Sequence, residues 1–357
     1  MKVATALIDT QALRHNLAQV RQHAPRSRVM AVLKANGYGH NLLAVAGALS
    51  TADAFAVARL DEALALREAG FSQPLVMLEG CFNASDLPVM ASQQVQAVLH
   101  TETQLAMLEQ TPLPAPLTVW IKVDTGMHRL GLAAAQLATF TQRLQATGKL
   151  AGEPGLISHF ACADEPQHPL NQQQLAAFSP LAEHWSGPVS MAASAAILTL
   201  PQAHYDWVRP GLMLYGASPM ASGDSSEHRL QPVMRLVSSL IAVKPVRRGE
   251  SVGYGATWTA KRDTCIGVVA MGYGDGYPRH ARSGTPVWLN GRRVPLAGRV
   301  SMDMITVDLG PDANDQVGDE AELWGPHLPV EEVAQWSDTI AYELLCNIAQ
   351  RVHYEFI

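Results

Sequence analysis

The chain has 357 residues, 48% of them hydrophobic and 16% charged, with a formal net charge of −6 at pH 7. This length suits two domains, or one large barrel with a second domain attached. The acidic balance and the lack of a basic cluster argue against nucleic-acid binding. No apolar run approaches the roughly 20 residues of a membrane helix. The four cysteines lack paired spacing and the amino terminus does not resemble a signal peptide, so we expect a cytoplasmic protein.

The first 210 residues alternate short apolar runs with segments of helical periodicity. Leu13, Leu17 and Val20 recur at helical spacing behind Thr10, and Thr101 and Gln104 form a predicted capping box for a helix over 101–108. A further helix is predicted over 61–69. The predicted strands span residues 29–33, 54–58, 75–78, 95–99, 117–123, 155–158, 189–193 and 207–208. Eight strands separated by helices imply parallel pairing, and eight parallel strands close a barrel.

The chain changes character after Pro210 and Gly211. A polar joint over 221–227 leads into a region rich in Val, Gly and turn signals, with strands predicted over 266–270, 286–289, 294–296 and 304–308. Asn290 and Gly291 predict a tight hairpin turn. We therefore expect an α/β protein with an N-terminal (β/α)8 TIM-like barrel over residues 1–230 and a mostly β domain over 231–357. The first ten or so residues are expected to pack with the second domain.

Polar side chains follow the predicted barrel strands where each one ends. They are Lys34, Arg59, Glu79, His100, Lys122 with Asp124, His159, Ser194 and Arg209. In a closed barrel these positions surround one opening, where barrel enzymes place their active sites. Each could instead be a solvated residue of the rim, so this pattern predicts a pocket and not a particular reaction.

Lys34 is the most informative of these residues. An amine at the mouth of a buried strand can lose its proton and act as a nucleophile or base, although a lysine that extends into solvent is the alternative. Ser194 and the small residues near Gly211 follow strands seven and eight, where barrels often bind phosphate, although they could be ordinary turn residues. An amine and a phosphate site in one pocket suggest pyridoxal phosphate bound as a Schiff base. Arg209, near the phosphate loop, could keep the ring nitrogen unprotonated and so favour brief proton removal from Cα.

Two weaker signals do not predict a second cofactor. The glycine-rich segment 272–277 has Tyr277 where a dinucleotide fingerprint needs its third glycine. His159, Cys162 and Asp164 are closely spaced, but no second pair of ligands accompanies them, so no metal is predicted.

Several long motifs, in the same order, resemble those of bacterial alanine racemases, which are barrel-fold pyridoxal phosphate enzymes. The first reads Lys-Ala-Asn-Gly-Tyr-Gly-His over 34–40, with Gly37 in place of a usual alanine and Asn41 in place of a usual glycine. The other similar segments are 124–131, 158–161, 206–211, 252–255, 272–279 and 301–304. The resemblance extends over the whole chain.

The resemblance implies two bases on opposite faces of the cofactor, because racemisation removes a proton from one face of Cα and returns one to the other. Lys34 would serve one face. Tyr254 would serve the other from the second subunit of a homodimer, with Arg129 and His159 as cations that lower the pKa of the phenol. In some family members the lysine that matches Lys122 is carbamylated and fixes the arginine that matches Arg129, so carbamylation of Lys122 is a further hypothesis.

The resemblance also implies binding roles. Met302 and Asp303 of the partner subunit would shape the pocket for the substrate carboxylate, which Arg129 would also bind. The phosphate would be held by Tyr38, Ser194, Gly211, Met213 and Tyr342. The entry corridor would be formed by Tyr273, Arg279, Arg299, Cys162 and Asp164.

The leading functional interpretation is racemisation of L- and D-alanine, either to supply D-alanine for peptidoglycan or to degrade it. A broad-specificity amino-acid racemase of the same fold remains an alternative, although such enzymes often carry export signals. A non-enzymatic pyridoxal phosphate carrier is a third, but a carrier needs neither the β-rich region nor Tyr254. A decarboxylase of related fold would carry a cysteine-bearing segment that this sequence lacks.

Overall fold

A computed structural model describes residues 1–221 and 225–357, which divide into two compact units. The barrel unit contains Arg14–Leu214 and a short segment that begins at Pro219. The β unit contains Met1–Leu13, Tyr215–Ser218 and residues 225–357. Residues 222–224 of the predicted polar joint lie outside the described residues, and Ser225–His228 form a single 3-10 turn.

The chain begins with strand β1 (Thr5–Ile8) and helix α1 (Thr10–His23). Within the described residues, the eight strands that follow pair in parallel and close into a barrel in sequence order. They are β2 (Arg28–Val32), β3 (Ala54–Val57), β4 (Leu75–Met77), β5 (Val95–Leu99), β6 (Val119–Lys122), β7 (Gly155–Ile157), β8 (Val189–Ala193) and β9 (Trp207–Arg209). The predicted fold class is confirmed for the barrel, because β2 pairs with both β3 and β9.

Helices alternate with these strands. They are α2 (Lys34–Tyr38), α3 (Leu42–Ala48), α4 (Leu60–Glu68), α5 (Asp86–Ser92), α6 (Glu102–Gln110), α7 (Leu137–Ala146), α8 (Pro169–Glu183) and α9 (Ser194–Thr199). The predicted N-cap of α6 is present, since the Thr101 hydroxyl accepts the Gln104 backbone N–H at 3.2 Å, but the capping box is not closed, because Gln104 Oε1 accepts the His100 backbone N–H at 2.9 Å. The strands are buried almost throughout, as expected for a parallel sheet covered by helices.

The barrel interior is filled by side chains that fit closely. Near the amino ends of the strands, the Trp120 and Trp207 rings meet edge to face with centroids 6.4 Å apart. The Trp120 indole N–H donates to Gln96 Oε1 at 2.8 Å. A Cβ built on Gly155 would lie 2.3 Å from the Trp120 ring, so only glycine fits at the start of β7. The barrel is therefore a packed scaffold, and its loops are left to carry chemistry.

The β unit continues with strands and two helices. The strands are β10 (Met234–Val246), β11 (Ser251–Val252), β12 (Trp258–Thr259), β13 (Thr264–Val269), β14 (Pro286–Leu289), β15 (Arg292–Pro295), β16 (Ile305–Gly310), β17 (Glu320–Trp324) and β18 (His353–Phe356). The helices are α10 (Val330–Trp336) and α11 (Ala341–Cys346). A mostly β second region is thus confirmed. Strand β1 pairs antiparallel with β10 and parallel with β18.

The hairpin predicted at Asn290 and Gly291 is present. Both residues have positive φ, 48° and 79°, and Leu289 pairs with Arg292 across the two-residue turn. This is the geometry that matches the twist of two antiparallel strands. In the described part of the chain, no helix is long and apolar enough to cross a bilayer.

Candidate active site

Lys34 begins a left-handed turn at the carboxyl end of β2. Ala35, Asn36 and Gly37 have φ values of 55°, 56° and 62°, a conformation that L-residues rarely adopt in succession. The Asn36 side chain stabilises the turn by accepting the Leu42 backbone N–H at 2.9 Å, and its backbone N–H donates to Glu62 Oε1 at 3.3 Å. The turn thus gives Lys34 a defined position at the barrel mouth.

The predicted phosphate residues of the barrel unit lie together. Ser194 Oγ accepts the backbone N–H of Gly211 at 2.8 Å and that of Met213 at 3.3 Å. A Cβ built on Gly211 would lie 2.4 Å from the Tyr38 hydroxyl, so glycine allows that hydroxyl to approach the backbone. Two hydroxyls and two backbone N–H groups therefore lie together; both N–H groups donate to Ser194 Oγ here, and an anion that took its place as acceptor would find these donors already grouped.

Arg209 lies buried beside this cluster, with 5% of its surface exposed. Its guanidinium donates to Ser190 Oγ at 2.5 Å, to the Ser158 carbonyl at 2.6 Å and to the Met191 carbonyl at 3.2 Å. Burial lowers its pKa to about 9, so it remains a cation at neutral pH. These partners leave Arg209 little freedom to reorient.

Lys122 is part of a concentration of positive charge at the mouth. Burial, followed by repulsion from Arg209, Arg129 and Lys34, lowers the pKa of Lys122 to about 8. Glu79 opposes this effect as a nearby carboxylate. A substantial fraction of Lys122 is therefore neutral near physiological pH, which is unusual for a lysine.

His159 is neutral in this environment. Burial and repulsion from Arg209, Lys122, Arg129 and Lys34 hold its pKa well below the usual range. Arg209 Nη2 lies 3.4 Å from His159 Nδ1, and since a guanidinium can only donate, Nδ1 is the acceptor. The proton of the ring is therefore on Nε2. The expectation that His159 acts as a cation is wrong, because the barrel mouth already holds several positive charges.

Several polar residues that support the mouth were not predicted. Gln174 on α8 is fully buried and bonds to Thr125, His159 and Ala161. Gln104 on α6 donates to the Glu79 and Cys81 carbonyls, both at 3.1 Å. Their spacing in the sequence could have indicated them. Asn171, Gln174 and Phe178 share the buried face of α8, so two polar residues occupy positions where apolar residues are usual.

In the β unit, the predicted residues lie on exposed turns. Tyr254 begins the turn Tyr254–Ala256 and is 69% exposed. A Cβ built on the next residue, Gly255, would lie 3.1 Å from Arg299 Nη1, so Arg299 packs beneath this turn. Arg279 is exposed, and Tyr342 lies on α11.

Tyr273, Met302 and Asp303 belong to two adjoining segments of the β unit. The Tyr273 backbone N–H donates to the Ser301 carbonyl at 3.0 Å, and that of Gly274 donates to the Met302 carbonyl at 2.8 Å. Arg351 joins the two segments by ion pairs with Asp275 at 2.7 Å and Asp303 at 2.8 Å. Tyr273 and Met302 are 40% and 54% exposed.

Cys162 and Asp164 lie in the loop that follows β7 of the barrel. The Cys162 carbonyl accepts Asn171 Nδ2 at 3.0 Å, and the Asp164 carbonyl accepts the Ala221 backbone N–H at 3.2 Å. Both contacts fix the backbone of the loop rather than its reactive side chains.

Comparison with known proteins identifies the family. Residues 8–219 match the model of the alanine racemase N-terminal domain, and residues 233–356 match that of the C-terminal domain. This chain belongs to the alanine racemase family. The family expected from the motifs is thereby confirmed.

Individual members of the family are similar over their full length. The alanine racemase of Yersinia pestis is 54% identical, with all of this chain and 99% of that protein covered. That of Shewanella baltica strain OS195 is 56% identical, with 97% of each covered. A crystal structure of the biosynthetic alanine racemase from Pseudomonas aeruginosa superposes with a TM-score of 0.97 at 47% identity, covering both chains completely.

Proposed function

We propose that this chain interconverts L-alanine and D-alanine, using pyridoxal phosphate held at the barrel mouth. The observation that carries the proposal is the position of Lys34 on a left-handed turn at the carboxyl end of β2, at the same end of the closed barrel as the Ser194–Gly211 cluster and the buried Arg209. The family membership supports alanine as the substrate.

The residues present fit the cofactor. The phosphate would be held by Ser194, Tyr38 and the backbone N–H groups of Gly211 and Met213. These groups offer hydrogen-bond donors, and a Cβ at Gly211 would fill the space beside the Tyr38 hydroxyl. Tyr342 of the β unit is proposed as a further phosphate ligand. Arg209 would stand at the ring nitrogen, where a cation disfavours protonation of that nitrogen. When bound, pyridoxal phosphate supplies an electron sink that makes the Cα proton of an amino acid more acidic.

Lys34 would move a proton at Nζ on one face of the substrate. A neutral amine is the form that can accept a proton, and Lys34 lies close enough to Lys122 to lower the pKa of that lysine. Arg129 would contact the substrate carboxylate, and Met302 and Asp303 of the partner subunit would shape the pocket around it. His159 would act as a neutral side chain that accepts from Arg209 at Nδ1 and can donate through Nε2, so it adds no charge to the site.

Tyr254 of the partner subunit would move the proton on the opposite face, which makes the enzyme a homodimer with shared active sites. The exposure of Tyr254 supports this role, because a phenol on a turn of the β unit is accessible to a second chain. We also propose that Tyr273, Arg279 and Arg299, with Asp164 and Cys162, line the route of entry.

Lys122 is proposed to be carbamylated. The neutral amine adds to the carbon of CO₂ and releases a proton, which leaves a carbamate anion. A pKa of about 8 supplies the neutral amine, and the surrounding cations favour the anion over an ammonium. The anion would then hold Arg129.

Circular dichroism of the purified protein with added pyridoxal phosphate tests the function. We expect L-alanine to racemise faster than any other amino acid in a panel of L-enantiomers. Comparable rates across the panel would instead indicate a broad-specificity racemase. A protein that binds the cofactor and racemises nothing would be a carrier, and the proposal would fail.

A further inference from the structure

Gln174 is a buried polar side chain, and both the oxygen and the nitrogen of its amide group have hydrogen-bond partners. It lies on α8, is fully buried, and its Oε1 accepts the Ala161 backbone N–H at 2.9 Å. Its Nε2 donates to the His159 carbonyl at 2.9 Å and to Thr125 Oγ1 at 3.2 Å. One amide therefore contacts both the loop after β6 and the loop after β7.

These contacts continue toward the centre of the mouth. The Ser158 hydroxyl donates to the Val123 carbonyl at 2.9 Å, so the Thr125 hydroxyl is the donor in its 3.0 Å contact with Ser158 Oγ. The Ser158 carbonyl in turn accepts from Arg209 at 2.6 Å. Gln174 is thus linked to Arg209 through the Thr125 hydroxyl and Ser158, and Arg209 is the residue proposed to meet the ring nitrogen.

The loop backbone is adapted to this close approach. Gly126 has a φ of 136°, and a Cβ built there would lie 3.3 Å from Gln174 Cγ. Asp124 Oδ1 accepts the backbone N–H groups of Gly126 and His128 at 2.9 and 3.1 Å, which folds the loop tightly before Arg129. A shift at Thr125 or Gly126 would therefore be transmitted to Arg129.

We propose that Gln174 is a positioning residue that holds the loop bearing Arg129 and the loop bearing His159 in one fixed arrangement. The inference rests on the proposed function, in which both residues serve the reaction. The amide suits this task because it offers an acceptor and two donor hydrogens in one plane. A glutamate would set an oxygen against the His159 carbonyl, and a methionine would fill the space without hydrogen bonds.

The main test compares Gln174→Met with Gln96→Leu. Gln96 binds the Trp120 indole near the amino ends of the strands, so its loss also removes a hydrogen bond from the barrel but at the opposite end. We expect both variants to lower the melting temperature. Only Gln174→Met should lower kcat for alanine, by about tenfold or more, because small displacements of catalytic groups have large effects on rate. KM should rise as well, because the same loop bears Arg129, which is proposed to contact the substrate carboxylate.

Hydrogen exchange supplies a readout that does not depend on activity. In Gln174→Met, amides of residues 123–131 and 158–162 should exchange faster than in the wild type, whereas Gln96→Leu should leave them unchanged. If neither segment changes in Gln174→Met, or if its kcat equals that of Gln96→Leu, the positioning role is overturned.

Thr125 provides a milder pair of variants in case Gln174→Met does not fold. Thr125→Val removes the hydroxyl that links Gln174 to Ser158 and should lower kcat in the same direction, while Thr125→Ser should recover most of the loss. Equal rates for the two variants would contradict the network. If the wild type racemises nothing, the proposed function fails, and the exchange data still decide the role of Gln174.

Discussion

The barrel mouth and the exposed turns of the β unit are built in opposite ways. At the mouth, Arg209 is buried in a set of hydrogen bonds and Lys122 has a strongly lowered pKa. On the turns, Tyr254 and Met302 are largely exposed. The side chains of the mouth are thus organised within one unit, whereas Tyr254 is proposed to act in the site of a second subunit. The proposed two-base mechanism therefore joins a preorganised half to one that assembly would complete.

Replacing Lys34 tests the organised half and should have the largest effect. We expect Lys34→Ala to lose essentially all racemisation and the visible absorbance of the lysine-bound cofactor, because both nucleophile and base are removed. Lys149→Met is the matched control, since Lys149 bonds the Leu108 and Glu109 carbonyls beside the amino end of β6. Wild-type activity in Lys34→Ala would refute the assignment.

Replacing Tyr254 tests the other half. Tyr254→Phe should lower racemisation by about 100-fold or more, the usual scale of a general acid or base. In D₂O, the variant should still exchange the Cα proton of one enantiomer, because Lys34 is intact. Proton NMR of each enantiomer measures this exchange. Tyr205→Phe is the control, because the Tyr205 phenol bonds to Ser179 within the barrel unit. Equal losses of exchange for both enantiomers would count against two separate bases.

Lys122 provides a further test of the mouth, because its lowered pKa supplies the neutral amine that is proposed to react with CO₂. Under ¹³CO₂ near pH 8, the wild type should show a carbamate carbon resonance that is absent from Lys122→Met. Identical spectra would show that the lysine remains a simple amine.

Acid should destabilise the barrel unit through His40. Its Nδ1–H donates to the Tyr38 carbonyl at 2.8 Å, and full burial lowers its pKa from 6.5 to about 4. Because the folded-state pKa is the lower one, stability is intact above pH 6.5 and falls as the pH drops towards 4, by about 3 kcal/mol in all. Unfolding of wild type and His40→Gln across this range measures the difference. A variant with the same acid sensitivity would exclude His40 as the cause.

Periodicity predicted the barrel well because its strands are short, continuous apolar runs separated by helices. The runs at 95–99 and 189–193 match β5 and β8 to the residue. The strand expected over 117–123 begins at Val119, since Leu117 forms only an isolated bridge with Leu150. In the β unit, six strands were not predicted: β1, β10, β11, β12, β17 and β18. Strands β11 and β12 are only two residues long, and the pairing of the other four joins segments far apart in the chain.

The alternation that closes a barrel, the lysine at the end of the first barrel strand and the family motifs could be read from the sequence, because each is a local pattern or a short motif. The protonation of the mouth depends instead on the tertiary structure. His159 is neutral because burial and the cations around it act together, and none of these adjoins it in sequence. The proposed role of Gln174 likewise depends on Thr125, which is 49 residues away in sequence and which the fold brings within hydrogen-bonding distance. Charge and hydrogen bonding in a pocket depend on distances through space, and these are set only when the barrel closes.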